Sequence, residues 1–287
     1  PVGQDGPTHN GVFDLAYMRT LPNMTLAAPR DATDVGRMLG LGLKVDGPFG
    51  LRFPRGNAPA REEFHAAERA PMEVGRAEVL REAPAGGLVI RALGSMVQVA
   101  LDVARELSGR DVESGGVDAR FAKPLDEELL QSHLVGCSHI VTLEDHQRAG
   151  GFGSAVLEAA ARAAVPGTPA PIRVLGIPDR YVEHMTTREE QLASVGLDAP
   201  GVLRVVTDLL GGVRVQWPAT STPRGRSAGS RPPGAWDACS CSPTARRRAC
   251  PRSSPRSRRS CARRAPSSRP SRTCAGSIRA GRSPLRP

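Results

Sequence analysis

Lysine is almost missing from this 287-residue chain: Lys44 and Lys123 are the only two beside 37 arginines. Long apolar runs are missing too. No stretch approaches eighteen consecutive apolar residues, which excludes a membrane-spanning helix. Cysteine is scarce where a core could form. Cys239, Cys241, Cys250, Cys261 and Cys274 lie in the last quarter of the chain, leaving Cys137 alone before them. One thiol cannot close an intrachain disulfide, so a disulfide framework is excluded for that part and a reducing cytoplasm is expected. The opening Pro-Val-Gly-Gln-Asp-Gly has neither the basic nor the apolar region of a secretory signal. Acidic residues run out as well. Residues 214–287 hold 18 Arg and a single acid, Asp237, for a net charge of +17. Residues 1–213 hold 21 basic and 28 acidic side chains, a net of −7. The overall +10 and the pI near 10.3 therefore describe neither part.

The Arg/Ser/Pro-rich tail, 213–287, has little to bury and is expected to be disordered. A basic arm that neutralises phosphates is one reading. Against it, the tail has no Lys and no aromatic among its Arg clusters, so nucleic acid is not the expected partner. Its residue types are largely those of G+C-rich codons, which a shifted reading frame would also give. Cys239 and Cys241 have no tail histidine with which to complete a zinc knuckle, and no metal site is expected.

Residues 1–213 show α/β patterning. A short strand at 24–28 is followed by a helix over about 32–44, capped by Asp31, with Val35, Met38, Leu39 and Leu43 on one face. A second strand follows at 49–53. Residues 58–85 are charged and without sustained alternation, and read as a surface linker. From Gly86 the alternation is regular: strands at 88–93, 117–121, 140–143 and 172–175. Between them lie a helix capped by Ser95 and running through Leu107, a helix opened by Asp126, and a helix over 154–164. Short helices at 188–194 and 199–210 close the domain. Strands alternating with helices imply a mostly parallel sheet covered on both faces.

The densest chemistry is the opening loop, Gly3-Gln-Asp5-Gly6-Pro7-Thr8-His9-Asn10-Gly11. Its glycines permit close approach of backbone to a ligand, and an imidazole titrating near neutrality beside a carboxylate suits proton traffic at a substrate oxygen. Spacing alone favours a structural loop in which His9 caps a helix. Gly150-Gly151-Phe-Gly153 before a helix looks like a phosphate cradle, but lacks the Lys-Ser/Thr of a P-loop and is read as structural. His133, His139, His146 and His184 share no metal-ligand spacing and are read as surface or partly buried.

The run Asp5-Gly-Pro-Thr-His9-Asn-Gly11-Val-Phe13-Asp14-Leu-Ala-Tyr17-Met-Arg19-Thr-Leu-Pro22-Asn-Met24 resembles 1-deoxy-D-xylulose-5-phosphate synthases, a thiamine-diphosphate-dependent, transketolase-like family. The likeness continues at Arg52-Phe-Pro54-Arg55-Gly56, at Arg120-Phe121-Ala-Lys123-Pro124-Leu125-Asp126, at Thr142-Leu-Glu144-Asp, and through Gly176-Ile-Pro178-Asp179 to Gly196-Leu-Asp198. It implies the last part of a pyrimidine-binding domain (1–57), a linker (58–85) and a transketolase C-terminal domain (86–212). It also implies decarboxylating condensation of pyruvate with D-glyceraldehyde 3-phosphate, at the entry to isoprenoid synthesis. By the same resemblance His9 and Asp5 are catalytic, acting on substrate oxygens and acceptor hydroxyls, and Arg55 holds the acceptor phosphate. Thiamine diphosphate and Mg²⁺ are the implied cofactors, with their binding residues outside this chain, and a homodimer is the implied assembly. Tyr17, Arg19 and Asp14 are expected behind the loop.

The chain departs from the family in three ways. The cofactor-binding G-D-G…N motif has no counterpart, Gly115-Gly116 stands in a strand the family fills with apolar residues, and Met185 stands where Gly is usual. The chain alone is therefore expected to bind no thiamine diphosphate and to be inactive. The alternatives are a transketolase or 2-oxoacid dehydrogenase β-subunit remnant, or a non-catalytic α/β module with a nucleic-acid-binding tail.

Overall fold

The apolar run at 88–93 forms the middle strand of a five-stranded sheet in the computed structural model, which describes residues 1–56, 69 and 71–211. That strand, β4 (Leu88–Ala92), is buried at every position, as a strand covered on both faces must be. β5 (Ser114–Asp118) pairs with it in parallel on one side and β7 (His139–Gln147) on the other, and β8 (Ile172–Ile177) runs parallel to β7. β3 (Glu78–Arg81) closes the sheet beside β5 and is antiparallel. Alternation along β4 sends Leu88, Ile90 and Ala92 to one face. There they pack with Val103 and Leu107 of α3 (Val97–Ser108) and Val202 and Val206 of α7 (Ala199–Leu209). Val89 faces the other way, among Leu130 and Leu134 of α4 (Glu127–Gly136) and Phe152 and Val156 of α5 (Phe152–Arg162).

A second sheet orders as β2 (Phe49–Leu51), β1 (Thr25–Ala27) and β6 (Phe121–Lys123). β2 is parallel to β1, and β6 is antiparallel to it. A strand from far along the chain thus covers one edge of the N-terminal segment. α1 (Asp14–Arg19) and α2 (Ala32–Gly42) flank this sheet. The two segments lie within one compact unit. A buried charge network joins them. Arg30 reaches Asp34 of α2 at 3.5 Å, Glu78 of β3 at 2.6 Å and Asp118 of β5 at 3.2 Å. Glu78 also accepts from Arg120, while Arg69 bridges Asp31 at 2.7 Å and Asp34 at 2.9 Å. Burial pushes the Asp118 carboxyl up to about 7, against the pull of Arg30 and Arg120.

Several local expectations are corrected. Residues 78–81, within the expected linker, are strand β3. The expected strand at 117–121 is two strands, broken where Arg120 turns with φ 57°. On α2 the buried side chains are Met38 and Asp34, whereas Leu39 and Leu43 are exposed, because Arg30 and Arg69 neutralise Asp34 in the interior. Ser95 does not cap α3; its hydroxyl turns to Asp145 and Arg188. Gly115-Gly116 does not interrupt β5. A Cβ at Gly115 would stand 2.9 Å from the backbone of Ala83, so glycine is what lets the chain after β3 lie against the sheet. Met185 has no positive φ, and its backbone N–H donates to the Gly3 carbonyl at 3.3 Å. The capping roles of Asp31 and Asp126 are as expected, each accepting from a backbone N–H of its helix at 2.9 Å. Among the described residues no helix is long and apolar enough to cross a membrane. The expected disorder of the tail falls on residues outside those described, as do residues 58–68 and 70 of the expected linker.

Candidate active site

The opening loop is shaped by two glycines with left-handed backbone, Gly3 (φ 71°) and Gly6 (φ 56°). A Cβ on Gly6 would overlap the ring of His184, so no other residue fits that position. Pro7 then stands at the second position of a 3₁₀ turn, Gly6–His9, with its φ already set for it. Asp5 precedes the turn, and its Oδ2 accepts from Arg55 Nη1 at 2.7 Å. Both are accessible, Arg55 at 75% and Asp5 at 36% of the side chain. His9 ends the same turn, exposed, with its Nδ1 2.9 Å from the Thr8 hydroxyl. It caps no helix, since the N-cap of α1 is Phe13. The structure thus joins Asp5 to Arg55 across 50 positions and places His9 on the turn beside them.

A cavity of about 730 Å³ opens beside this loop. Gln4, Arg55, Ser95, Gln98, Thr186 and Arg188 are among the residues lining it; Asp5 and His9 are not. The cavity therefore borders the loop on the side of Arg55.

Behind the loop stands a cluster that sequence reasoning did not single out. Arg52 follows β2 and donates through Nε to both Asp14 oxygens, at 3.0 and 2.9 Å. Its other nitrogens reach the Gly11 carbonyl at 3.2 Å, the Asp145 carbonyl at 3.2 Å and the Asp145 carboxylate. Arg188 binds the second Asp145 oxygen at 2.6 Å and Ser95 at 2.9 Å. Burial would raise the Asp145 carboxyl, but Arg52 and Arg188 outweigh it and hold it far below the usual carboxylate range. Asp145 sits near the carboxyl end of β7, the end at which α/β sheets gather their sites. Arg52 and Asp145 both fall inside the quoted runs, Arg52 three positions before Arg55. Asp14 and Arg19 do lie behind the loop as expected, Arg19 donating to the Gly150 carbonyl at 2.7 Å and pairing with Glu158 at 2.6 Å. Tyr17 instead faces solvent, 61% exposed.

The glycine-rich approach to α5 is not an anion site for a ligand, because it is already filled. Glu144 accepts from the backbone N–H of Phe152 at 2.6 Å and of Gly153 at 2.8 Å. Burial pushes the Glu144 carboxyl up to about 8 against the pull of those two N–H groups. His146, expected at or near the surface, is fully buried, and desolvation lowers its pKa.

The described residues do not fit the metal-bound diphosphate of the implied cofactor. No group of three His, Cys, Asp or Glu side chains among them could hold a metal ion. Of the two carboxylates lining the cavity, Asp31 and Glu189, Asp31 is already committed to Arg69 at 2.7 Å.

Two family models match the chain. The transketolase pyrimidine binding domain matches residues 1–61, and the transketolase C-terminal domain matches residues 75–202. The chain carries these two domains of the transketolase family. Within that family it is 43% identical over 204 residues to 1-deoxy-D-xylulose-5-phosphate synthase 2 of Geobacter sulfurreducens, covering 70% of this chain and 31% of that protein. It is 43% identical over 205 residues to the 1-deoxy-D-xylulose-5-phosphate synthase of Thioalkalivibrio sulfidiphilus, covering 71% and 30%. The chain thus spans about a third of the length of these relatives. Among solved structures it resembles one described as "Split gene transketolase, inactive beta4 tetramer", with 31% identity and a TM-score of 0.61 over 71% of this chain and 63% of that one. The transketolase C-terminal match begins ahead of β3, consistent with that strand belonging to the larger sheet.

Proposed function

We propose that this chain carries the acceptor-binding part of a 1-deoxy-D-xylulose-5-phosphate synthase, the enzyme that condenses pyruvate with D-glyceraldehyde 3-phosphate with loss of carbon dioxide. The observation that carries the reading is the pairing of Asp5 with Arg55 at 2.7 Å on an accessible loop that also holds His9. A guanidinium presents several N–H donors in one plane, which suits a terminal phosphate of an acceptor aldehyde. Asp5 accepts from a hydroxyl of that acceptor. His9 exchanges a proton with the oxygen of the carbonyl under attack, and its Nδ1 contact with the Thr8 hydroxyl orients the ring.

The same proposal assigns thiamine diphosphate and Mg²⁺ to residues other than those described, and the chain on its own to an inactive state. In support, the chain spans about a third of the length of the curated relatives, and the split-gene neighbour is an inactive assembly by its own title. A homodimeric assembly and a cytoplasmic setting belong to this reading. Calorimetry on the full chain tests it with two ligands. D-glyceraldehyde 3-phosphate should bind saturably, and thiamine diphosphate with Mg²⁺ should give no heat of binding in the micromolar range. Micromolar cofactor binding, or no binding of the aldehyde, would count against it.

A further inference from the structure

The loop that carries Asp5 and His9 is anchored at Gly3 by a residue with no part in the proposed chemistry. Gln191 lies on α6 (Arg188–Ser194), 188 positions along the chain, and is completely buried. Its side-chain oxygen accepts from the Gly3 N–H at 2.6 Å, and its nitrogen donates to the Gly3 carbonyl at 3.1 Å and the Glu183 carbonyl at 3.0 Å. One buried amide therefore holds both backbone groups of Gly3. The Gly3 carbonyl also receives the Gly6 N–H at 3.4 Å, so the same atom closes the turn that leads to His9. The other side of the anchor is stiff. Thr187 and Glu190 form a reciprocal capping box at the start of α6, and a Cβ on Gly3 would approach Thr187 at 3.0 Å.

We propose that Gln191 is a positioning residue that sets the conformation of the 3–11 loop, and through it the placement of Asp5 and His9 relative to Arg55. Its functional consequence rests on the acceptor-site reading above; its conformational part does not. A leucine at this position fills similar space and leaves two buried backbone groups of Gly3 without the amide. A glutamate keeps the acceptor for the Gly3 N–H and loses both donated bonds.

Amide hydrogen exchange on the full chain compares the natural sequence with Gln191→Leu and Gln191→Glu. Exchange over residues 6–10 should quicken about tenfold with Leu and less with Glu, while β4 and β7 keep their natural rates, the pattern of local opening. Unchanged exchange over 6–10 in both variants would overturn the proposal. So would equal acceleration in β4 and β7, which marks a merely structural role. Titration with inorganic phosphate separates the two readings. If the natural chain binds phosphate, both variants should bind it more weakly, and unchanged affinity would overturn the positioning role. If the natural chain binds none, the acceptor-site reading fails and the exchange pattern alone decides the conformational claim.

Discussion

Arg52 donates to both the carboxylate and the backbone carbonyl of Asp145, so one guanidinium joins the end of β2 in the smaller sheet to the end of β7 in the larger. The same group holds Asp14 and the Gly11 carbonyl. Arg52 stands three residues before Arg55, so it ties both the exit of the 3–11 loop and the turn bearing Arg55 to the C-terminal domain.

Arg52→Met should cost about 3–5 kcal/mol of folding stability, because it removes the cation shared by Asp14 and the buried Asp145 and leaves Asp145 with Arg188 alone. Urea denaturation measures the loss. A cost below about 1 kcal/mol would mean that the bridge is replaceable by solvent.

Glu144 makes stability depend on pH with a definite sign. Its carboxyl is raised from 4.5 to about 8 in the folded chain, so between those values the folded state binds the extra proton. Stability from this group is fully present below about pH 4.5 and is lost as pH rises through about 8, by up to about 1.4 kcal/mol per pH unit. Glu144→Gln removes that slope. Unfolding free energies at pH 5 and pH 8 should differ less in the variant than in the natural chain, and equal differences would remove Glu144 as the source.

Gly115→Ala should destabilise by about 1–3 kcal/mol, since the new methyl meets Ala83 backbone that cannot step aside without breaking the pairing of β3 with β5. Thermal unfolding reports the loss, and amide exchange should show it concentrated in β3. A neutral outcome would mean that the Ala83 segment moves freely.

These residues also show what was legible in the sequence. The larger sheet could be read because β4 is a continuous apolar run and the helices on both faces carry regular apolar spacing. β3 could not, because Glu78-Val-Leu-Arg81 is a short edge strand whose partner offers glycines and a bulge in place of a matching apolar pattern. On α2 the spacing of Leu39 and Leu43 pointed inward, while the buried position went to Asp34, whose cations include Arg30 and Arg69 from outside the helix beside Arg37 on it. Periodicity carries no information about such partners. The roles expected of Asp5, His9 and Arg55 came from family resemblance, since spacing alone favoured capping for His9, and the pairing of Asp5 with Arg55 was visible only in the fold. The cluster around Asp145 was hidden for another reason. Each member is an ordinary charged residue, and only the meeting of the two sheet ends makes them a unit.

Arg55→Ala should weaken binding of D-glyceraldehyde 3-phosphate about tenfold, the size expected for a charge-assisted contact at an accessible site. Asp5→Asn should weaken it less and leave its phosphate dependence in place. Calorimetry with the aldehyde and with its unphosphorylated analogue distinguishes the two effects. Equal losses for both ligands in Arg55→Ala would remove Arg55 from the phosphate.

The central claim is that residues 1–211 can serve as the acceptor-binding part of a 1-deoxy-D-xylulose-5-phosphate synthase. The most direct test places them in the Geobacter sulfurreducens relative, in exchange for its matching segment, and measures 1-deoxy-D-xylulose 5-phosphate formed from pyruvate and D-glyceraldehyde 3-phosphate. The chimaera should form product, and His9→Ala should abolish most of it without abolishing cofactor binding. A folded, cofactor-loaded chimaera that forms no product, or one indifferent to His9→Ala, would contradict the account.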